Sequence, residues 1–116
     1  RAREDDAALR EVAAGLLHAG DERTSGAAWV PRAATAAVPR AVARRAIRLL
    51  AEAATDRECG RVEGRIDDVL ALTPAAGRPA ALDLGDGVRV LVSGGVDGRI
   101  WCTASPPRGE PATTSE

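Results

Sequence analysis

The spacing of apolar positions along the chain changes once, from a helical period to an alternating one. In the first stretch Leu9, Val12, Leu16 and Leu17 fall on one side with Ala8 and Ala13, which predicts a helix from about Glu4 to Ala19. Glu4, Asp5 and Asp6 suit its N-terminus, and Gly20 suits its C-cap. A polar connection follows over residues 20–27. Trp29-Val30-Pro31 then reads as a short anchored segment, and Ala33 to Ala37 as one or two helical turns. Pro39 fits the first turn of a second long helix running to about Ala54, with Val42, Ala43, Ala46, Ile47 and Leu50 on its buried side. Thr55-Asp56-Arg57-Glu58 has the form of a capping box, Thr55 as N-cap and Glu58 at N3, opening a third helix to about Leu72. Its apolar face is Cys59, Val62, Ile66, Val69 and Leu70, and Gly60 and Gly64, four apart, either let another backbone approach closely or simply weaken the helix.

Beyond the loop at residues 73–79 the period becomes two. Leu82-Asp83-Leu84, Val88 to Val92 and Arg99 to Cys102 are strands separated by glycine-rich turns. From Ser105 the chain is rich in Pro, Thr, Ser and Glu. The expected class is α+β. Residues 1–72 form a small helical domain of three main helices plus a short helical segment. Residues 73–103 form a three-stranded antiparallel β meander packed on it, and 104–116 a disordered tail. There is no internal repeat.

Composition limits the core. Hydrophobic content is 45 %, but much of it is Ala; Phe, Tyr and Met are absent, and Trp29 and Trp101 are the only aromatics. A core poor in large side chains gives marginal stability to a chain of 116 residues. The chain starts at Arg1 with helical sequence at once, which suggests an excised segment rather than a targeting signal. No apolar run is long enough to span a membrane. Cys59 and Cys102 lie far apart without further ligands at metal spacing, so no zinc site is expected. In a cytosolic protein they read as two buried thiols.

The net charge of −1 excludes a strongly basic nucleic-acid binder, but the charge is unevenly spread. Residues 31–51 carry Arg32, Arg40, Arg44, Arg45 and Arg48 and no acid. Arg40, Arg44 and Arg48 recur every four residues, a straight cationic row on one helix face with Arg45 beside it; Glu52 is placed to pair with Arg48. The row is either a solvated face or a phosphate-binding one. Asp67 and Asp68 are adjacent, point in different directions, and make a poor acid–base pair. His18 falls in the last turn of the first helix with no nucleophile or carboxylate partner, and reads as a surface residue favoured by the helix dipole. Trp29 reads as a packing anchor.

Ser93-Gly94-Gly95-Val96-Asp97-Gly98 is one residue from the Ser-Gly-Gly-x-Asp-Ser phosphate loop of ATP pyrophosphatases. A phosphate loop needs a strand before it and a helix after it. Here the following run is β-prone and soon meets Pro106 and Pro107, and Gly98 stands where the last hydroxyl is needed. The stretch is expected to be a hairpin turn.

Three segments, in this order, resemble the region that follows the catalytic domain in bacterial tRNA(Ile)-lysidine synthase. Arg3-Glu4-Asp5-Asp6-Ala7-Ala8-Leu9 is similar to that family's acidic and basic helix opening. Val38-Pro39-Arg40-Ala41-Val42-Ala43-Arg44-Arg45-Ala46-Ile47-Arg48 is similar to its Leu-Pro-x-x-Leu-Arg-Arg-Arg-x-Leu-Arg helix. Leu82-Asp83-Leu84-Gly85-Asp86-Gly87-Val88-Arg89-Val90 is similar to its Val-x-Leu-Pro-Gly-Gly-Val strand and turn. Gly85-Asp86-Gly87 departs from Pro-Gly-Gly, and Arg61-Val62-Glu63 replaces a more usual His-Val-Glu.

The resemblance spans about residues 1–103. It implies a cytoplasmic ATP-dependent ligase that uses ATP and Mg2+ to adenylate the wobble cytidine of a CAU-anticodon isoleucine tRNA and join lysine to it. In that family the catalytic residues and the phosphate loop belong to the N-terminal ATP pyrophosphatase domain. This chain would then be the non-catalytic tRNA-binding region, with no cofactor or metal of its own. Its partners would be the tRNA and that N-terminal domain, not DNA or a membrane. Arg40, Arg44, Arg45 and Arg48 would contact the RNA backbone and position it rather than read its sequence. The competing expectation is a helical structural or protein-interaction domain; an ATP-binding fragment built on Ser93–Gly98 is the weakest.

Overall fold

The computed structural model describes residues 2–56, 60–74, 77–85 and 87–104, with side chains from Asp5 onward and without those of Gly60 and Arg61. The capping residue Glu58, the thiol Cys59, the turn residue Asp86 and the tail from Ser105 lie outside the described residues.

The architecture is α+β, as the change of period predicts. Helix α1 (Ala2–Ala14) leads through a 3₁₀ turn at Glu22–Thr24 to strand β1 (Trp29–Pro31). Helices α2 (Arg32–Ala37) and α3 (Arg40–Thr55) follow. A 3₁₀ helix (Gly60–Arg65) then runs into the single turn α4 (Ile66–Leu70), and strands β2 (Ala80–Gly85), β3 (Val88–Val92) and β4 (Arg99–Ala104) complete the chain.

The sheet has four strands, not three, in the order β1-β4-β3-β2 and antiparallel throughout. The extra strand is Trp29-Val30-Pro31, which pairs Trp29 with Trp101 and Val30 with Ile100. Three residues are too few to show alternation, and their partner lies about seventy residues downstream. As an edge strand it tolerates Pro31, which lacks a ladder donor. β1 therefore belongs to the sheet although it lies within the helical stretch of sequence.

Register separates the two faces of the sheet. Val92, Ile100 and Val30 form one row, and Val90 and Cys102 another; all are buried toward the helices. Helix α3 packs between this face and α1. Its Ile47 and Leu50 are enclosed, and Ala43, Ala46 and Ala51 are buried too, so small side chains let the helix sit close to the strands. Helices and strands share one apolar cluster that runs from Ala13 to Cys102.

Two helix boundaries differ from expectation. α1 stops at Ala14, five residues early, because Gly15 opens a turn and His18 leaves the helix to exchange backbone hydrogen bonds with Trp29 (2.8 and 3.1 Å). Thr55 does not begin the next helix. It is the last residue of α3, its hydroxyl donates to the Ala51 carbonyl at 3.0 Å, and Asp56 closes the helix in the left-handed region (φ 57°). Where helix was expected to run on to Leu72, the described residues from Gly60 form a 3₁₀ run followed by α4. Two glycines four apart remove the side-chain packing and raise the entropy cost that a regular helix would have to overcome. A Cβ built on Gly64 meets nothing within 4 Å, so the close backbone approach expected there is not made.

Candidate nucleic-acid interface

The four arginines singled out by spacing lie on α3, which projects Arg40, Arg44 and Arg48 in one row. Opposite them the 3₁₀ helix and α4 project Glu63 and Asp67, also four residues apart. The two rows interlock. Asp67 Oδ1 accepts from Arg40 Nη2 at 3.0 Å and from Arg44 Nη1 at 2.6 Å. Glu63 accepts from Arg44 Nη2 at 3.1 Å and from Arg48 Nη1 at 3.3 Å. Arg48 Nε also donates to Glu52 at 3.1 Å, the pairing anticipated from sequence. Arg45 points elsewhere: it is mostly covered and pairs with Asp6 of α1. Hence Arg40, Arg44 and Arg48 form one group and Arg45 is separate from it.

Electrostatics follow the geometry. The Arg44 guanidinium is pushed above its ordinary value, first by its hydrogen bond to Asp67 and then, against some desolvation, by Glu63. Desolvation works against the charge of Arg48, but Glu52 and Glu63 outweigh it and raise that group too. Desolvation raises Asp67, while Arg40 and Arg44 together more than reverse this and hold its carboxyl below 3.8. The row is thus close to charge-balanced. Its Arg40 end is wet, with the side chains of Arg40 and Asp67 65 % and 61 % exposed, while those of Arg44 and Arg48 are only 30 % and 28 % exposed. An exposed pair such as Arg40–Asp67 contributes only modestly to stability.

Sequence reasoning overlooked Glu63 and Asp67 as partners. Their own four-residue spacing, matching that of the arginines, was the available signal. Asp68 turns away from Asp67, as adjacency on a helix requires, and accepts from Arg65 at 3.1 Å.

The Ser93–Gly98 stretch is the β3–β4 hairpin connection. Ser93 N donates to Arg99 O, and Arg99 N to Ser93 Oγ, both at 2.9 Å. Gly98 N donates to Gly95 O at 3.1 Å, while Gly98 O accepts from Arg32 N at 2.9 Å. Gly95 has φ 88°, and a Cβ on Gly98 would stand 2.6 Å from Ser93 O. The Ser93 hydroxyl oxygen and the Ser93, Gly98 and Arg99 amides close the turn, and a strand rather than a helix follows it.

The remaining polar cluster centres on Trp29. Its ring stacks on that of His18 (centroids 4.3 Å apart, planes 13° from parallel). Arg99 Cζ lies 3.7 Å from the Trp29 ring centroid, and the Arg99 guanidinium grips both Asp21 oxygens at 2.9 and 2.7 Å. That hydrogen bond, with the Arg99 charge and two backbone amides, depresses the Asp21 carboxyl despite some desolvation. The indole N–H donates to Ala19 O at 3.0 Å. His18 is thus an exposed residue bridged to the edge strand β1 and stacked on Trp29, past the end of α1.

Among the described residues no group of three or more His, Cys, Asp and Glu side chains is placed to hold a metal ion, and no helix is long and apolar enough to cross a membrane. Comparison with protein-family models, with curated proteins and with solved structures found no match to this chain.

Proposed function

We propose that this chain is the accessory, tRNA-holding region of a cytoplasmic tRNA(Ile)-lysidine synthase-like ligase, and that Arg40, Arg44 and Arg48 of α3 contact the RNA backbone. The observation that carries the proposal is the ordered resemblance of three segments, on α1, α3 and the β2–β3 pair, to the region after that family's catalytic domain. The arginine row supports it chemically. Guanidinium forks suit phosphates, and exposed carboxylates hold Arg40, Arg44 and Arg48 in a fixed row until a phosphate replaces them. Because the resting row is charge-balanced, its affinity is modest, in keeping with an accessory role. ATP and Mg2+ chemistry belongs to the ATP pyrophosphatase domain of the whole enzyme, and no step is assigned to this region.

A second reading has an observation of its own. Each of the four arginines reaches a carboxylate, and for all but the Arg48–Glu52 pair that carboxylate comes from another element. On this reading α3 is a structural clasp within a non-catalytic interaction domain. Salt-dependent tRNA binding, measured beside thermal unfolding for a variant lacking Arg40, Arg44 and Arg48, separates the two.

A further inference from the structure

The sheet face opposite the one that joins α3 in the core carries a feature that the arginine row does not explain. Register aligns Ala81, Leu91, Trp101 and Trp29 in one row across all four strands on that face. Trp101 is buried there at 6 % exposure, while Trp29 is half-buried and His18, stacked on it, is exposed. Arg99 and His18 thus both pack on the Trp29 ring, and the exposed member of the contact is the flat imidazole ring.

The ladder is fixed in advance. Backbone bonds tie His18 to Trp29, the indole N–H is held by Ala19 O, and Asp21 holds Arg99 against the Trp29 ring. Little ordering cost remains for a ligand that adds one more layer. The near-parallel planes are the geometry in which a nucleobase continues a stack. The surrounding charges are matched, Arg99 with Asp21 and Arg89 with Asp83, so the site offers stacking rather than a field.

We propose that the exposed imidazole of His18, stacked on the Trp29 ring that Arg99 also contacts, takes an unpaired base of single-stranded RNA. This inference rests on the RNA-binding reading above but names a different surface and a different contact.

The test is binding of a short fluorescein-labelled oligoadenylate, a blunt RNA duplex and tRNA to the full chain, its His18→Ala variant and its His18→Phe variant, each over a salt series. Stacking of one base corresponds to a loss of about fivefold to about a hundredfold in oligoadenylate affinity for His18→Ala. The slope of log affinity against log salt stays unchanged, since no phosphate contact is lost. His18→Phe keeps a flat ring and retains affinity, and duplex binding is the same for all three. Equal oligoadenylate affinity for His18→Ala and the parent chain overturns the inference, as does a loss in His18→Phe equal to that in His18→Ala. If tRNA binds but oligoadenylate does not, this inference alone fails; if neither binds, the RNA reading fails with it. Thermal unfolding of both variants, matched to the parent, excludes a folding effect.

Discussion

Arg44 Nη1 lies 2.6 Å from Asp67 Oδ1, joining the middle of α3 to the first turn of α4. Asp67 serves Arg40 as well, so one exposed carboxylate aligns two arginines of the row. The contact gives α4, a single turn too short to be stable alone, a polar tether beside the apolar one through Ile66 and Val69. It also sets the direction in which the guanidiniums point.

This tether makes stability depend on pH in a definite sense. The Asp67 carboxyl is depressed below 3.8 in the folded chain, so its contribution is present above the unfolded value and is lost as pH falls through the folded one. Asp21, depressed first by its hydrogen bond to Arg99, behaves alike. In urea unfolding, Asp67→Asn is expected to be less stable than the parent at about pH 6, with the gap closing below about pH 4 as the parent carboxylate protonates. A gap that stays constant down to about pH 2 contradicts the assignment.

The core prediction rests on α3. Leu50 is 2 % exposed within the cluster shared by helices and sheet. Leu50→Ala is expected to cost about 2–5 kcal/mol, a large part of the stability of a small domain. Val96, at the tip of the β3–β4 turn, is 97 % exposed, and Val96→Ser should stay within about 0.5 kcal/mol. Denaturant midpoints for the two variants check the contrast; similar losses in both would place the core wrongly.

Gly20 and Gly64 separate a required glycine from a dispensable one. A Cβ on Gly20 runs into the backbone of Gly26 and Ala27, where the loop folds back on itself, whereas one on Gly64 meets open space. Gly20→Ala should lower the melting temperature clearly. Gly64→Ala should leave it unchanged or raise stability by about 0.4–1 kcal/mol. The opposite ranking in thermal unfolding contradicts the loop geometry.

Period and punctuation carried much of the fold. α3 was legible because Pro39, an unbroken apolar face and the arginine spacing agree. The strands were legible because Val88, Val90 and Val92 alternate between glycine-rich turns. What could not be read depends on partners distant in sequence. β1 is a strand only because β4 accepts it, and α1 ends early where Gly15 opens a turn and His18 finds Trp29. Thr55 looked like an N-cap because the residues around it satisfy that pattern locally; the left-handed Asp56 decides otherwise. At the site the same holds. The arginine row was visible, while its pairing with Glu63 and Asp67 required knowing that two segments lie side by side. The His18–Trp29–Arg99 ladder joins residues spread over eighty positions, and no local pattern announces it.

The central claim is that the α3 row contacts RNA backbone, and the most direct measurement is the salt dependence of tRNA binding for the parent chain and the Arg40→Gln, Arg44→Gln, Arg48→Gln triple variant, with unfolding followed in parallel. The account predicts that parent affinity falls linearly on a log–log plot with salt, and that the triple variant binds more weakly to every tRNA tested with a shallower slope. A triple variant with unchanged tRNA affinity and slope, or a parent chain without salt-dependent tRNA affinity, would contradict it and leave the row as a clasp between α3 and α4.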